Sequence, residues 1–244
     1  VKRNDVPAWS ALLLGPAALA ADYFLLGLPV VRNGPATYVV LAVLIGVAVW
    51  ALALRRSAIA ILGLIAVLMS TGAHMASRTL LFRLPAHPPR AALGERAAEL
   101  DLRNEMGEVE ILRTLRHSGP LVLVFIRGSW SAFCRAELRG LARQIDKIHN
   151  AGAALAVVSG EPVETNRRLV ESMDLPFHIL SDPELKVTRQ YVGVFAGSGP
   201  GGKDTAHPGT VVIDSHGRIK WISENHHLRY RTSPAEIAAQ VRKQ

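Results

Sequence analysis

Apolar residues fill the first third of the chain in three long runs, and afterwards they alternate with polar ones at shorter spacing. The first run extends from Val6 to Val31 with Asp22 as its sole charge, and the second, Gly34 to Leu54, has none. The third begins at Ser57, after Arg55-Arg56, and no charge follows before Arg78. A bilayer core about 30 Å thick asks for about 20 apolar residues in a helix, and each run is close to that length. The runs are apolar all round, with no polar face of the kind a soluble bundle would need. Read as one helix, residues 36–75 would reach about 60 Å, twice the core thickness, so a turn is expected at Arg55-Arg56. Arg32-Asn33-Gly34-Pro35 breaks the chain before that. The pattern therefore predicts transmembrane helices over 6–31, 34–54 and 57–75 in a membrane region 1–76. Lys2, Arg3 and Ala18-Leu19-Ala20 also fit a cleaved signal peptide, which leaves the first span with two readings.

Pro85, Pro88, Pro89 and Gly94 mark residues 77–97 as an exposed linker to a domain over 98–244. Within it, Glu99–Arg103 and Val109–Leu112 flank Met106-Gly107 as a hairpin. Pro120–Ile126 is an unbroken run of β-formers suited to a buried strand. Leu138, Leu141, Ile145 and Ile148 recur at helical spacing and predict one amphipathic helix over 134–149. Ala153–Val158 and Phe177–Leu180 read as strands around a polar helix, Glu161–Met173. Asp182-Pro183 is expected to open a short helix. Thr210–Ile213, the turn Asp214–Gly217 and Arg218–Ile222 form a second hairpin, and Ser233-Pro234-x-Glu236 caps a last helix, 235–242. Alternating βαβ units that lead into a hairpin predict an α/β domain, a mixed sheet flanked by helices.

Charge changes the picture mainly in the first segment. Residues 1–94 carry eight basic and two acidic side chains, whereas the remainder holds 20 basic and 18 acidic ones. Six of the eight net positive charges thus lie beside the apolar runs. No cluster of Lys and Arg interleaves with aromatics, so no nucleic-acid partner is expected. Lys2, Arg3, Arg55 and Arg56 fall on one side of the predicted spans; Arg32, Arg78, Arg83 and Arg90 fall on the other. The paired arginines lean toward the cytoplasm, which sets the C-terminal domain outside. The expectation is a multi-pass protein of a bacterial plasma membrane, with lipid as a partner.

Cys134 is the single cysteine, so no intrachain disulfide can form. It follows a predicted strand and opens a predicted helix, whose free N–H groups favour a thiolate. Arg127 and Arg135 lie near it in sequence, and Trp130 and Phe133 are placed to shield it. Its position suits a reactive thiol, and a small buried hydrophobe is the alternative. No His or carboxylate cluster accompanies the cysteine, so no metal is expected. Gly197–Gly202 lacks the Lys-Ser/Thr and helix of a phosphate loop and reads as a surface loop over the cleft.

The stretch FIRGSWSAFCRAELRGL resembles the active-site segment of the thioredoxin-like superfamily, closest to its peroxiredoxin-like alkyl hydroperoxide reductase/thiol-specific antioxidant branch. His207-Pro208-Gly209-Thr210-Val-Val-Ile-Asp214 resembles that superfamily's proline-strand-turn segment, in which the proline is cis. The resemblance covers about residues 95–242 and implies a thioredoxin-like fold. Where many relatives read Trp-Cys-x-x-Cys, this chain has Ser131 for the first cysteine, which removes the two-thiol exchange cycle. Ser131-x-x-Cys134 instead matches the peroxiredoxin Thr/Ser-x-x-Cys pattern. By that resemblance Cys134 attacks a hydroperoxide and becomes a sulfenic acid, while Ser131 bonds thiolate and peroxide. Two positions depart from the pattern. Arg127 stands where the motif has proline, and His207 is what the chain offers beside Pro208, where the family keeps a catalytic arginine.

The apolar runs and the resemblance together imply a membrane-anchored, cofactor-free peroxidase that uses a hydroperoxide and an external thiol or thioredoxin-type reductant. Its site residues are Cys134 and Ser131, with Arg127, Trp130, His207 and Pro208 in support. The alternative is a catalytically weak thioredoxin-like module that tethers a redox partner.

Overall fold

The computed structural model describes residues 91–116, 119–223 and 231–243, together with helical positions Ile61, Ile65, Leu68, Met69, Gly72 and Ala76. The chain divides into two compact units, Val1–Arg83 and Leu84–Gln244. Of the first unit, those helical positions share one face at spacings of three and four, and Ile61, Ile65, Leu68 and Met69 are exposed. Among the described residues no helix is long and apolar enough to cross a membrane. The predicted spans over 6–31 and 34–54 lie outside the described residues, as does most of 57–75.

The second unit begins with a hairpin, β1 (Asp101–Arg103) and β2 (Val109–Ile111), and a short helix, α1 (Leu112–Arg116). Strand β3 (Leu121–Ile126) follows, and all six of its side chains are buried. Helices α2 (Ala132–Arg143) and α3 (Ile145–His149) lead to β4 (Ala154–Ser159). Then come α4 (Val163–Met173), β5 (His178–Ser181), α5 (Lys186–Tyr191) and a two-stranded ribbon, β6 (Val194–Phe195) with β7 (Thr205–Ala206). Strands β8 (Gly209–Ile213) and β9 (Ile219–Ile222) and helix α6 (Pro234–Val241) close the domain.

The expected mixed sheet is present, ordered β2-β1-β5-β4-β3-β8-β9. Strands β3, β4 and β5 are parallel, and β1 and β8 run against them. Continuous β-formers in β3 make sense because both sheet faces are covered. Leu121, Leu123 and Phe125 join one core with Tyr191 and Ile213. Val122, Val124 and Ile126 join the other, with Cys134, Leu138 and Ile237.

Four expectations are corrected. The helix expected over 134–149 is two, because Gln144 leaves helical geometry at φ −129°. The turn at Asp182-Pro183 starts no helix: Leu185 sits at φ +54°, and α5 begins one residue later. Asp182 serves that helix instead, its Oδ2 accepting the Thr188 N–H at 2.7 Å. Part of the expected linker is folded. Gly94 and Ala97 donate to the carbonyls of Ile219 and Gly217, and Ile219 donates to Glu95. An extended segment beside a sheet edge satisfies its own backbone and the edge at once, which a solvated linker cannot do. Finally, no described peptide bond is cis, so His207–Pro208 is trans. His207 and Pro208 join β7 to β8 without a turn, and without a tight turn an X–Pro bond keeps its ordinary trans preference.

Candidate active site

The site is built where β3 ends and α2 begins. Ser131 has the extended backbone of a helix cap, φ −81° and ψ 117°, and its Oγ accepts the Cys134 N–H at 3.4 Å. Cys134 is therefore the third residue of α2, among N–H groups that have no partner within the helix. Serine does this because its short side chain reaches back to the first turn. Ahead of the cap, the Ser129 N–H and hydroxyl both donate to Glu161, at 2.5 and 2.9 Å. Gly128 makes this approach possible. Its φ is +149°, and a Cβ there would fall 2.5 Å from Trp130 Nε1.

Cys134 is wholly buried. Its sulfur nevertheless faces a charged group: Arg231 Nη2 donates toward Sγ at 3.8 Å. Arg231 lies 97 residues further along the chain, on the segment just ahead of α6. Its Nε donates to Glu137 Oε2 at 2.7 Å, and both side chains are almost fully enclosed. Glu137 stands one turn after Cys134 on α2, so thiol and carboxylate share a face. Burial opposes the charge on Arg231, but Glu137 and Cys134 outweigh it and hold the guanidinium above its ordinary value. Burial pushes the Glu137 carboxyl up to about 7 against the pull of Arg231.

A second cation stands on the other side of the loop. Arg127 Nη2 donates to the Ser198 carbonyl at 2.5 Å, and its Nε reaches Thr205 Oγ1 at 3.5 Å. The guanidinium lies over the Trp130 ring at 4.8 Å and the Phe195 ring at 5.5 Å. Phe195 in turn stacks on His207, ring centres 5.4 Å apart. Burial draws Arg127 below its ordinary value, opposed by the negative charge of Cys134 and helped by the positive charge of Arg231. The loop 197–202 expected over the cleft is thus tied back through Ser198 to Arg127.

The residues expected at the site fall into two groups. Ser131 and Cys134 share the first turn of α2, and Arg127 joins Trp130 to Phe195, on which His207 stacks. Pro208 leads directly into β8. On that strand Thr210 pairs with Val124, whose side chain belongs to the same core as Cys134. The Thr210 hydroxyl is buried with no hydrogen-bond partner, so a polar atom remains available on the face that carries the thiol. Sequence reasoning missed Arg231 and Glu137. Glu137 was within reach, one helical turn from the cysteine, but Arg231 carries no local signal. Among the described residues, no three His, Cys, Asp or Glu side chains are grouped to hold a metal ion.

Comparison with known proteins adds a family and a fold. The model of the AhpC/TSA family matches residues 93–222. Alkyl hydroperoxide reductase E of Mycobacterium tuberculosis is 28% identical over 131 residues, 53% of this chain and 82% of that protein. The chloroplastic peroxiredoxin Q of Oryza sativa subsp. japonica is 26% identical over 139 residues, 56% of this chain and 60% of its own length. Among solved structures, peroxidoxin BcpB of Mycobacterium tuberculosis superposes with a TM-score of 0.54 at 21% identity, covering 63% of this chain and 97% of that one. A peroxiredoxin-like protein of Aquifex aeolicus gives 0.54 at 18% identity, with 64% and 89% covered. These likenesses show the thioredoxin-like α/β fold.

Proposed function

The chain belongs to the AhpC/TSA family, and from that premise we propose that it is a thiol-dependent peroxidase reducing hydroperoxides through Cys134. The observation that carries this reading is the position of Cys134: third in α2, capped by Ser131, with Arg231 Nη2 3.8 Å from its sulfur. The thiolate attacks the outer peroxide oxygen, the S–O bond forms as the O–O bond breaks, and the alkoxide leaves and takes a proton as the alcohol. Arg231 and the N–H groups at the start of α2 face the negative charge that develops on the oxygens. Because Cys134 is wholly buried, peroxide meets it through a local opening of the side chains around it. The chain has no second cysteine. An external thiol therefore condenses with the sulfenic acid, releasing water, and a second thiol displaces it as a disulfide.

We also propose that residues 6–75 anchor the domain to a membrane, with the domain outside the cytoplasm. The long apolar runs and the exposed apolar positions from Ile61 to Met69 support this reading. A reporter fused after Gln244 tests the topology, and reporter activity confined to the cytoplasm would reverse the assignment.

The activity is tested by adding substoichiometric hydroperoxide to the full chain and trapping sulfenic acid with a dimedone reagent. A single adduct at Cys134, absent in Cys134→Ser, is expected. No adduct with either hydrogen peroxide or an alkyl hydroperoxide would sink the peroxidase reading.

A further inference from the structure

Away from Cys134, a cavity of about 190 Å³ lies between α1 and the turn joining β8 to β9. Its polar walls are Arg96, Arg113, Arg116 and His216, with Glu99 as the acidic contributor and Gly217 closing one side. Arg113 and Arg116 are three apart on α1, so they present neighbouring side chains. Arg96 is delivered by its bridge to Arg218, at the start of β9.

Arg116 has a structural task that uses only part of its guanidinium. Its Nη1 donates to the carbonyls of Ser215 and Asp214, which pins the fork against the turn. Its Nε is buried and has no partner. Asp214, in the adjoining turn, is already committed: its Oδ1 accepts the N–H groups of His216 and Arg218, and its Oδ2 faces Lys220 at 3.6 Å. Three guanidinium groups therefore meet one carboxylate, Glu99.

We propose that this cavity binds a phosphoryl group, with the exposed Arg96 and Arg113 as its donors and Arg116 as a third positive charge in its wall. Planar guanidinium forks suit tetrahedral oxyanions, and an excess of positive charge selects them over neutral ligands. Size narrows the class. Sites for drug-sized ligands run to about 300–1,000 Å³, so this one suits an inorganic phosphate or a glycerophosphoryl headgroup rather than a nucleotide. The same chemistry arrives either as a free phosphate compound or as an anionic lipid headgroup.

The test follows the ¹⁵N resonance of the Arg116 Nε–H in the full chain in neutral detergent micelles, assigned by its loss in Arg116→Lys. One arm adds inorganic phosphate or glycerol 3-phosphate, a second adds phosphatidylglycerol to the micelles, and a third adds chloride at matched ionic strength. A saturable shift with the soluble phosphates supports the site with a free ligand; a shift with phosphatidylglycerol alone supports the lipid headgroup. In either case Arg113→Gln, on an exposed residue remote from Cys134, should weaken binding about tenfold, the worth of one charge-assisted hydrogen bond. No shift in the first two arms, an equal shift with chloride, or unchanged binding in Arg113→Gln would overturn the proposal.

Discussion

Arg127 and Arg231 both bring positive charge to Cys134, but they are held in opposite ways. Arg231 is enclosed, shares its guanidinium between Glu137 and the cysteine sulfur, and has lost nearly all contact with water. Arg127 is half-buried, spreads over two aromatic rings and spends its hydrogen bonds on the 198–205 loop. One is aimed at the cysteine sulfur by a buried ion pair; the other holds the rim together and acts on the thiol through its field. The difference teaches that proximity in sequence and proximity in chemistry are separate properties. Arg127 lies seven positions from the cysteine, yet the distant Arg231 makes the direct contact.

The sharpest way to break this contrast is Arg231→Met. The rate of Cys134 oxidation by peroxide, followed in a single turnover, should fall about 10²–10³-fold, the cost of losing one preorganised donor to a developing anion. Arg231→Lys should recover part of the rate, which a merely structural role would not predict. An unchanged rate in Arg231→Met would give the leading role back to Arg127.

The second test concerns Glu137, the group that tethers Arg231. Burial raises its carboxyl to about 7, above its ordinary value of 4.5. Below the lower value both folded and unfolded chains hold the proton; between the two, the folded chain binds more protons. Stability is thus fully present at low pH and declines as pH climbs toward 7. The decline amounts to on the order of 3 kcal/mol, which is absent in Glu137→Gln. Denaturant melts of the two proteins at pH 5 and pH 8 make the measurement, and parallel pH profiles would rule the carboxylate out as the source.

Arg127→Met should slow oxidation by about tenfold, and the deficit should shrink in high salt because a half-exposed charge is screened. A salt-independent deficit would mean that Arg127 touches the substrate. The smallest effect is expected from Ser131→Ala, a loss of about 1 kcal/mol for a helix cap, read from the melting midpoint.

Much of the fold was legible because its signals are local. The unbroken apolar run of β3, the spacing of Leu138 and Leu141, and Ser233-Pro234 before α6 each specify an element over a few residues. The misreadings came where a local pattern was true of the residues but not of the path between them. Ile145 and Ile148 continue the helical spacing of Leu138 and Leu141, although Gln144 interrupts the helix between the two pairs. Pro183 suits a first helical turn, yet Leu185 adopts a left-handed backbone, and no spacing announces it.

The sequence by itself determined that a lone thiol sits where a buried strand gives way to a helix, because both elements are announced by patterns local to a few residues; that Ser131 caps this helix, with Cys134 third in it, came from the structure. The sequence also determined that the first third of the chain is strongly apolar. Only the tertiary structure decided which cation faces that thiol. Arg231 reaches Cys134 by packing across 97 positions of chain, and such a contact is set by how the sheet and its two covering layers close, not by any spacing along the sequence.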